Sequence, residues 1–344
     1  MMRFFSAATF LAVLAICWSA VAGPDSQQPA PGQSKDGKYK KRSSSAADLP
    51  RVIIRDADDP ATLDLFHGIG GTKDAPDPNG RYTFLEEDLE QTQPKFDVKD
   101  ANGVRWRVKV GPESRAETAA TRLVWAAGYF VDEDYYLDEL KVQGLPKLHR
   151  GGKYVSGGGI VHGARLERKP KNVKVIERWS WFHNPFVGTR ELNGLRVMMA
   201  FINNWDLPTK NNSIYAEDGQ RRYVVSDLGS SLGRTGDYVS GSRGQAGDYA
   251  DAKFIDKTTP DTVNFTMRSE PIPVTAFEFR CCGGSVHPVV EHIPRADARW
   301  VGQRLSRLSD EQIRDCFRAS GFSPEEVETY LKAVRKRLSE LNAL

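Results

Sequence analysis

Between Asn203 and Gly229 the chain reads N-N-W-D-L-P-T-K-N-N-S-I-Y-A-E-D-G-Q-R-R-Y-V-V-S-D-L-G. Two short runs, Ser213–Tyr215 and Arg222–Val225, flank Asp218-Gly219, a pair suited to a tight hairpin turn. Upstream, Gly188 to Asn203 carries Leu192, Leu195, Met199 and Ile202 at helical spacing. The hairpin therefore follows a helix and delivers Asp227 at a strand end, beside glycine-rich backbone that can bend. Asp206 and Asn211 stand just before it, five residues apart. Alone, D-x-x-x-x-N and D-L-G are common. Helix, D-x-x-x-x-N, hairpin and D-L-G in that order are far more specific, and they require helix and strand in one unit.

A second stretch has the same mixed character. Phe96–Val98 and Val104–Val110 predict two strands around a turn at Asp100-Ala101-Asn102-Gly103. Arg105, Arg107 and Lys109 alternate there with Val104, Trp106, Val108 and Val110. Pro112 then suits a first helical turn, where its missing N–H costs nothing. Ala116, Ala119, Ala120, Leu123 and Ala127 give a helical period that Gly128 ends. Near the C-terminus, Ser309–Gln312 and Ser323–Glu326 read as capping boxes. Val327, Tyr330, Leu331, Val334, Leu338 and Leu341 form one core-facing stripe. The expectation is an α+β chain of two lobes, strand-rich over 51–178 and helix-rich over 179–344.

The beginning of the chain reads differently. Met1 to Ala22 has Arg3, an apolar run to Trp18 and an A-x-A end at Ala20-Val21-Ala22, the pattern of a cleaved secretory signal. The run is short and ends in small residues, so the mature chain is expected to keep no membrane span. The expected location is secreted or periplasmic. Residues 23–50 are rich in Pro, Gln, Ser, Gly and Lys and predict a disordered linker, with a small basic cluster at Lys38, Lys40, Lys41 and Arg42. The formal net charge of +3 loses Arg3 with the signal and makes no case for nucleic-acid binding. The mature chain keeps three cysteines, Cys281, Cys282 and Cys316, an odd count that makes no disulfide framework; one bridge is open, from Cys316 to either member of the pair, and no C-x-x-C metal spacing exists. His287 and His292 have no matching acidic partner, so structural roles are expected. Trp179, Trp181, Phe182 and Phe186 predict a core or lobe-junction cluster.

Phosphoryl transfer needs few parts, and each has a candidate here. Asp206 is the candidate base for an acceptor hydroxyl. Asn211, with Asn212 as its backup, and Asp227 are the candidate metal ligands. Lys109 lies in a strand context close to V-A-I-K and is the candidate phosphate clamp. Glu113 and Glu117 stand one turn apart on the following helix, and Glu117, well inside it, is the expected partner of Lys109.

These residues resemble the protein-kinase-like superfamily, nearest to its atypical members: secreted kinases, the spore-coat CotH type, HipA-like toxins and phosphoinositide-kinase-like enzymes. The chain also looks like a group of secreted bacterial proteins sharing I-N-N-W-D-L and S-D-L-G. The resemblance implies two lobes with a nucleotide between them, ATP with Mg²⁺ or Mn²⁺, and a protein, lipid or small-molecule acceptor. Three departures stand out. Asn204-Trp205 replace the His-Arg before the catalytic Asp, removing the Arg that reads a phosphate on the activation loop. Leu228 replaces the usual Phe. No G-x-G-x-x-G precedes Lys109; Thr92 and Gln93, before Pro94, are the candidates for a glycine-poor phosphate loop, while Gly68–Gly71 reads as a turn. Gly229–Asp251 would be the activation or substrate loop by position, and its hydroxyls could take phosphate from the enzyme itself. Two other readings use the same residues: an inactive kinase-like scaffold of the cell envelope, and a nucleotidyl transferase.

Overall fold

In the computed structural model, residues 49–55, 58–90, 93–169, 173–235, 241–267 and 287–344 are described. The signal, all but the end of the linker, Thr92, Cys281 and Cys282 lie outside the described residues. The described residues fall in one compact unit. Its elements in chain order are β1 (Arg51–Val52), α1 (Gly71–Asp74), β2 (Tyr82–Asp88), β3 (Lys95–Lys99), β4 (Arg105–Val110), α2 (Glu113–Ala126), β5 (Asp134–Gln143), β6 (Val155–Ser156), β7 (Ile160–Arg168) and β8 (Lys174–Arg178). There follow α3 (Arg190–Phe201), β9 (Asn212–Glu217), β10 (Gln220–Val225), α4 (Ala246–Asp251), β11 (Ile255–Thr258), β12 (Thr262–Phe265), β13 (Ile293–Pro294), α5 (Arg295–Leu305), α6 (Asp310–Arg318) and α7 (Pro324–Asn342). The strand-rich first part and helical second part are those expected. No helix among the described residues is long and apolar enough to cross a membrane.

The first sheet runs β4-β3-β2-β5-β7-β6 and closes on itself through a β4–β7 pairing. Strand alternation sorts its side chains. Phe96, Val98, Trp106, Val108, Ala164 and Leu166 turn inward into one apolar cluster. The other face is charged. The β4–β7 register sets Lys109 opposite Arg165 and Arg107 opposite Glu167. Two cations are thus placed side by side before any tertiary packing is considered.

Helix α2 packs against this charged face, and all of its residues except Arg115 are buried. Its apolar side belongs to the second, larger cluster, shared with α3, α5, α6 and α7. Gly128 takes φ +98° just beyond its end, a conformation that L side chains rarely adopt. Both capping boxes on α6 and α7 are formed. Arg337 of α7 is buried and donates to the Ala200 and Phe201 carbonyls, Asn203 Oδ1 and the Tyr249 carbonyl. It thereby adds a donor to carbonyls at the end of α3. The stretch entering the Asp206 loop is held from the C-terminal helix.

Candidate active site

Two residues beyond α3, Asn203 takes φ +54°, a geometry that Asn tolerates better than most residues. From there two stretches run alongside each other. The Leu232 amide donates to the Ile202 carbonyl at 2.7 Å, Trp205 to Ser230 at 3.3 Å, and Ser226 to Asn211 at 2.9 Å. Asn204 Nδ2 donates to the Asp227 carbonyl at 3.3 Å, and Asn203 Nδ2 to Gly233 at 2.8 Å. The hairpin β9–β10 supplies the return, pairing Asn212 with Val225. Asp206, Asn211 and Asp227 are therefore brought together, as their order in the sequence suggested. Asn211 donates from Nδ2 to the Asp206 carbonyl at 3.0 Å. Asn212 is turned away, donating to the Trp179 carbonyl.

Lys109 reaches this point from the first sheet. Its Nζ is 2.7 Å from Glu117 Oε2, 3.5 Å from Glu113 Oε2 and 3.5 Å from Asp227 Oδ1. The expected pairing with Glu117 is the shortest of the three. Burial works against the ammonium charge, but Glu117 and then Asp227 outweigh it and raise its pKa. Arg165 holds the other oxygen of Glu117 at 2.6 Å and also meets Glu167 at 2.9 Å and Asp134 at 3.4 Å. Glu117 is thus fixed between two cations that the β4–β7 register had already aligned.

Glu113 is a full member of the cluster. Gln93 Nε2 donates to its Oε1 at 2.8 Å, and Arg243 Nε lies 3.0 Å from the same atom. Its Oε2 faces Lys109 and crowds Gly229, where an added Cβ would come within 2.7 Å. A glycine after Asp227-Leu228 is a steric requirement here. Burial raises the Glu113 carboxyl; Lys109 opposes the shift and Asp227 adds to it, leaving the pKa at about 7. Asp206 is likewise raised, first by burial and then by the Asp227 charge, against the hydrogen bond from Asn211.

Ligand atoms of Glu113, Glu117 and Asp227 all lie within 4.8 Å of one another. Three hard carboxylates, two of them buried, suit a hard divalent cation such as Mg²⁺ or Mn²⁺ better than a soft one. The Asn211 amide oxygen adds a donor type of the same kind.

Gln93 joins the site through Glu113, while Thr92 lies outside the described residues. Arg165 and Arg243 were not singled out in the sequence. Arg165 has a signal there, since it falls in phase with a charged face; Arg243 has none, because its position depends on the path of a loop. Trp179 and Trp181 are buried, as expected, with Phe182 exposed. Cys316 is a buried free thiol whose Sγ lies 3.4 Å from the Ala119 carbonyl.

The raised Glu113 carboxyl makes a prediction for metal-free protein. A carboxyl held above its unfolded value stabilises the native state at low pH, and that contribution is lost as pH rises from about 4.5 to about 7. Its size is on the order of 3 kcal/mol, from 1.36 kcal/mol per unit. Urea denaturation across this range should show wild type losing stability relative to Glu113→Gln. Parallel curves would refute the assignment.

No protein-family model matches the chain, and no curated protein sequence matches it. Solved structures similar to it include three of kinases. The proinflammatory kinase CtkA of Helicobacter pylori is 12% identical with a TM-score of 0.44, over 76% of this chain and 96% of that one. The Golgi casein kinase is 11% identical with a TM-score of 0.34, over 76% and 72%. Its Mn/ADP-bound structure is 10% identical with a TM-score of 0.34, over 77% and 73%.

Proposed function

We propose that this chain is an exported phosphotransferase with two kinase-like lobes, moving the γ-phosphate of ATP to an acceptor hydroxyl. The observation that carries the reading is the meeting of Lys109, Glu117 and Asp227 within one cluster beside the Asp206–Asn211 loop. A structural ion pair needs Lys109 and Glu117 alone. It does not need a second carboxylate, Asp227, at a strand end, or a third, Asp206, close enough for Asp227 to raise its pKa.

In this reading Lys109 neutralises the nucleotide phosphates, and Glu117, clamped by Arg165, holds Lys109 in place. Asp227 and Asn211 would hold Mg²⁺ or Mn²⁺, which when bound would offset phosphate charge. Asp206 orients the acceptor hydroxyl. As the new oxygen–phosphorus bond forms and the bond from the γ-phosphorus to the β–γ bridging oxygen breaks, Asp206 takes the hydroxyl proton and ADP leaves. A raised carboxyl pKa makes Asp206 a better proton acceptor than an exposed aspartate. Gln93, which reaches Glu113, would belong to the phosphate loop over the nucleotide.

The test is a thermal-shift titration of the chain without its first 22 residues, using ATP with Mg²⁺ or Mn²⁺. A ligand binding only the native state at a hundred times its Kd adds about 2.7 kcal/mol of stability. Wild type should show a metal-dependent shift, and Asp227→Ala should lose it. No shift from folded wild-type protein would overturn the reading in favour of an inactive scaffold.

A further inference from the structure

Arg243 lies beyond Asp227-Leu228-Gly229, in the segment that turns back toward α2. Backbone hydrogen bonds fix its path: Gly244 N to Ser231 O at 3.0 Å, and Gln245 N to Leu232 O at 2.9 Å. Gly244 rests on α2, where an added Cβ would lie 3.5 Å from Ala116 Cβ. The Arg243 side chain then touches three places at once. Its Nε is 3.0 Å from Glu113 Oε1 at the start of α2 and 3.3 Å from Ser230 Oγ. Its guanidinium lies over the Trp205 ring, 4.7 Å from the centroid, and Trp205 is the residue before Asp206.

We infer that Arg243 is a positioning residue that sets the first turn of α2 against the Asp206 loop, so that the site assembles without a phosphate on the loop after Asp227. This rests on the phosphotransferase reading. The chemistry favours it on two counts. A planar guanidinium stacks on an indole face and pairs with a carboxylate at once, which an ammonium does less well. By holding Glu113 Oε1 together with Gln93, Arg243 leaves Oε2 aimed at Lys109 and Asp227. Glu113, in the first turn of α2, is the α2 residue whose side chain Arg243 pairs with, so the first turn is what Arg243 is placed to adjust.

The experiment compares wild type, Arg243→Ala, Arg243→Lys and Asp227→Ala by three readouts. These are the Mg²⁺–ATP thermal shift, Mg²⁺-dependent conversion of ATP to ADP, and hydrogen–deuterium exchange of peptides around Glu113 and Asp206. Arg243→Ala should keep the thermal shift, lower turnover by about a hundredfold as a misplacement effect, and exchange faster in both peptides. Low-millimolar guanidinium should restore part of the turnover, Arg243→Lys should fall between, and phosphatase-treated wild type should keep its rate. Unchanged turnover and exchange in Arg243→Ala would overturn the assignment. So would lost turnover with unchanged exchange, which would make Arg243 a substrate-binding group. A wild-type rate abolished by phosphatase would overturn the phosphate-independent assembly. If wild type shows neither shift nor turnover, the phosphotransferase reading fails, and exchange still decides whether Arg243 ties the two segments together.

Discussion

Asp206→Ala is expected to bind Mg²⁺–ATP as wild type does and to convert it about a thousandfold more slowly, within the range of general-base contributions. Asp206 does not touch Lys109, and its contacts are local: the Asn204 side chain accepts from its amide at 3.2 Å, and its carbonyl accepts from Asn211. Its removal leaves the Lys109 cluster in place. The pH profile gives a second check. The base must be ionised to accept a proton, and burial with the Asp227 charge holds the Asp206 pKa above its ordinary 3.8. Wild-type turnover should therefore fall as pH drops through a value above 3.8, and the residual rate of Asp206→Ala should lose that limb. Single-turnover kinetics alongside the thermal shift separate binding from chemistry. A variant that turns over within a few-fold of wild type would remove Asp206 from the mechanism.

Arg165→Met should cost about 3–5 kcal/mol of stability, the usual result of leaving buried charge uncompensated. Arg165 is 2% exposed and meets Glu117, Asp134 and Glu167. Burial opposes its charge, but Asp134, Glu117 and Glu167 together raise its pKa. Once it is gone, Asp134 and Glu167 face each other with Lys109 and Lys169 as the nearest ammonium groups on the network. Asp134 already has a raised carboxyl, at about 6, from burial and its acidic neighbours. Without Arg165 it should rise further and protonate more readily. The loss should be smaller at pH 5 than at pH 8, and Arg165→Met/Asp134→Asn should recover part of it. Urea denaturation of the variants measures this directly. A loss under about 1 kcal/mol would mean that the network is looser than its distances indicate.

Much of the site was legible because it depends on local order. The hairpin after Asp206 and Asn211 needs only Asp218-Gly219 between two short apolar runs, and it returns the chain to Asp227 wherever the rest goes. Lys109 and Glu117 share one strand–turn–helix unit, so their approach is also local. Glu113 was visible as an alternative partner for Lys109. That it joins the cluster alongside Glu117 depends on Gln93 and Arg243 holding its far oxygen.

The middle of the chain was not legible. Tyr129 to Arg178 showed acidic and aromatic residues, a glycine-rich patch at Gly157–Gly159 and strand-like pieces without clear bounds, and it holds β5 and β7, the strands that close the first sheet. Their charged residues, Asp134, Arg165 and Glu167, look like a solvated face in the sequence and are buried in the molecule. A closed sheet with α2 across its charged side explains this. Each charge is compensated by partners from other strands, and no one-dimensional period records that. Arg51–Val52 is a similar case: it was expected with the strand-rich part but pairs in parallel with β10 beside Asp227.

The sequence by itself determined the strand–turn–helix unit of Lys109, the helix–hairpin unit of Asp206 and Asp227, the caps of α6 and α7, and the carboxylate, amide and ammonium groups suited to phosphoryl transfer. Those depend on contacts a few residues apart, or on a hairpin that closes over a short span. The tertiary structure alone decided which charges became neighbours. Arg165 lies beside Lys109 because β4 pairs with β7, and Arg243 reaches Glu113 because a loop folds back on α2. Such contacts are chosen by the burial of the surrounding apolar surface, which acts without regard to sequence distance.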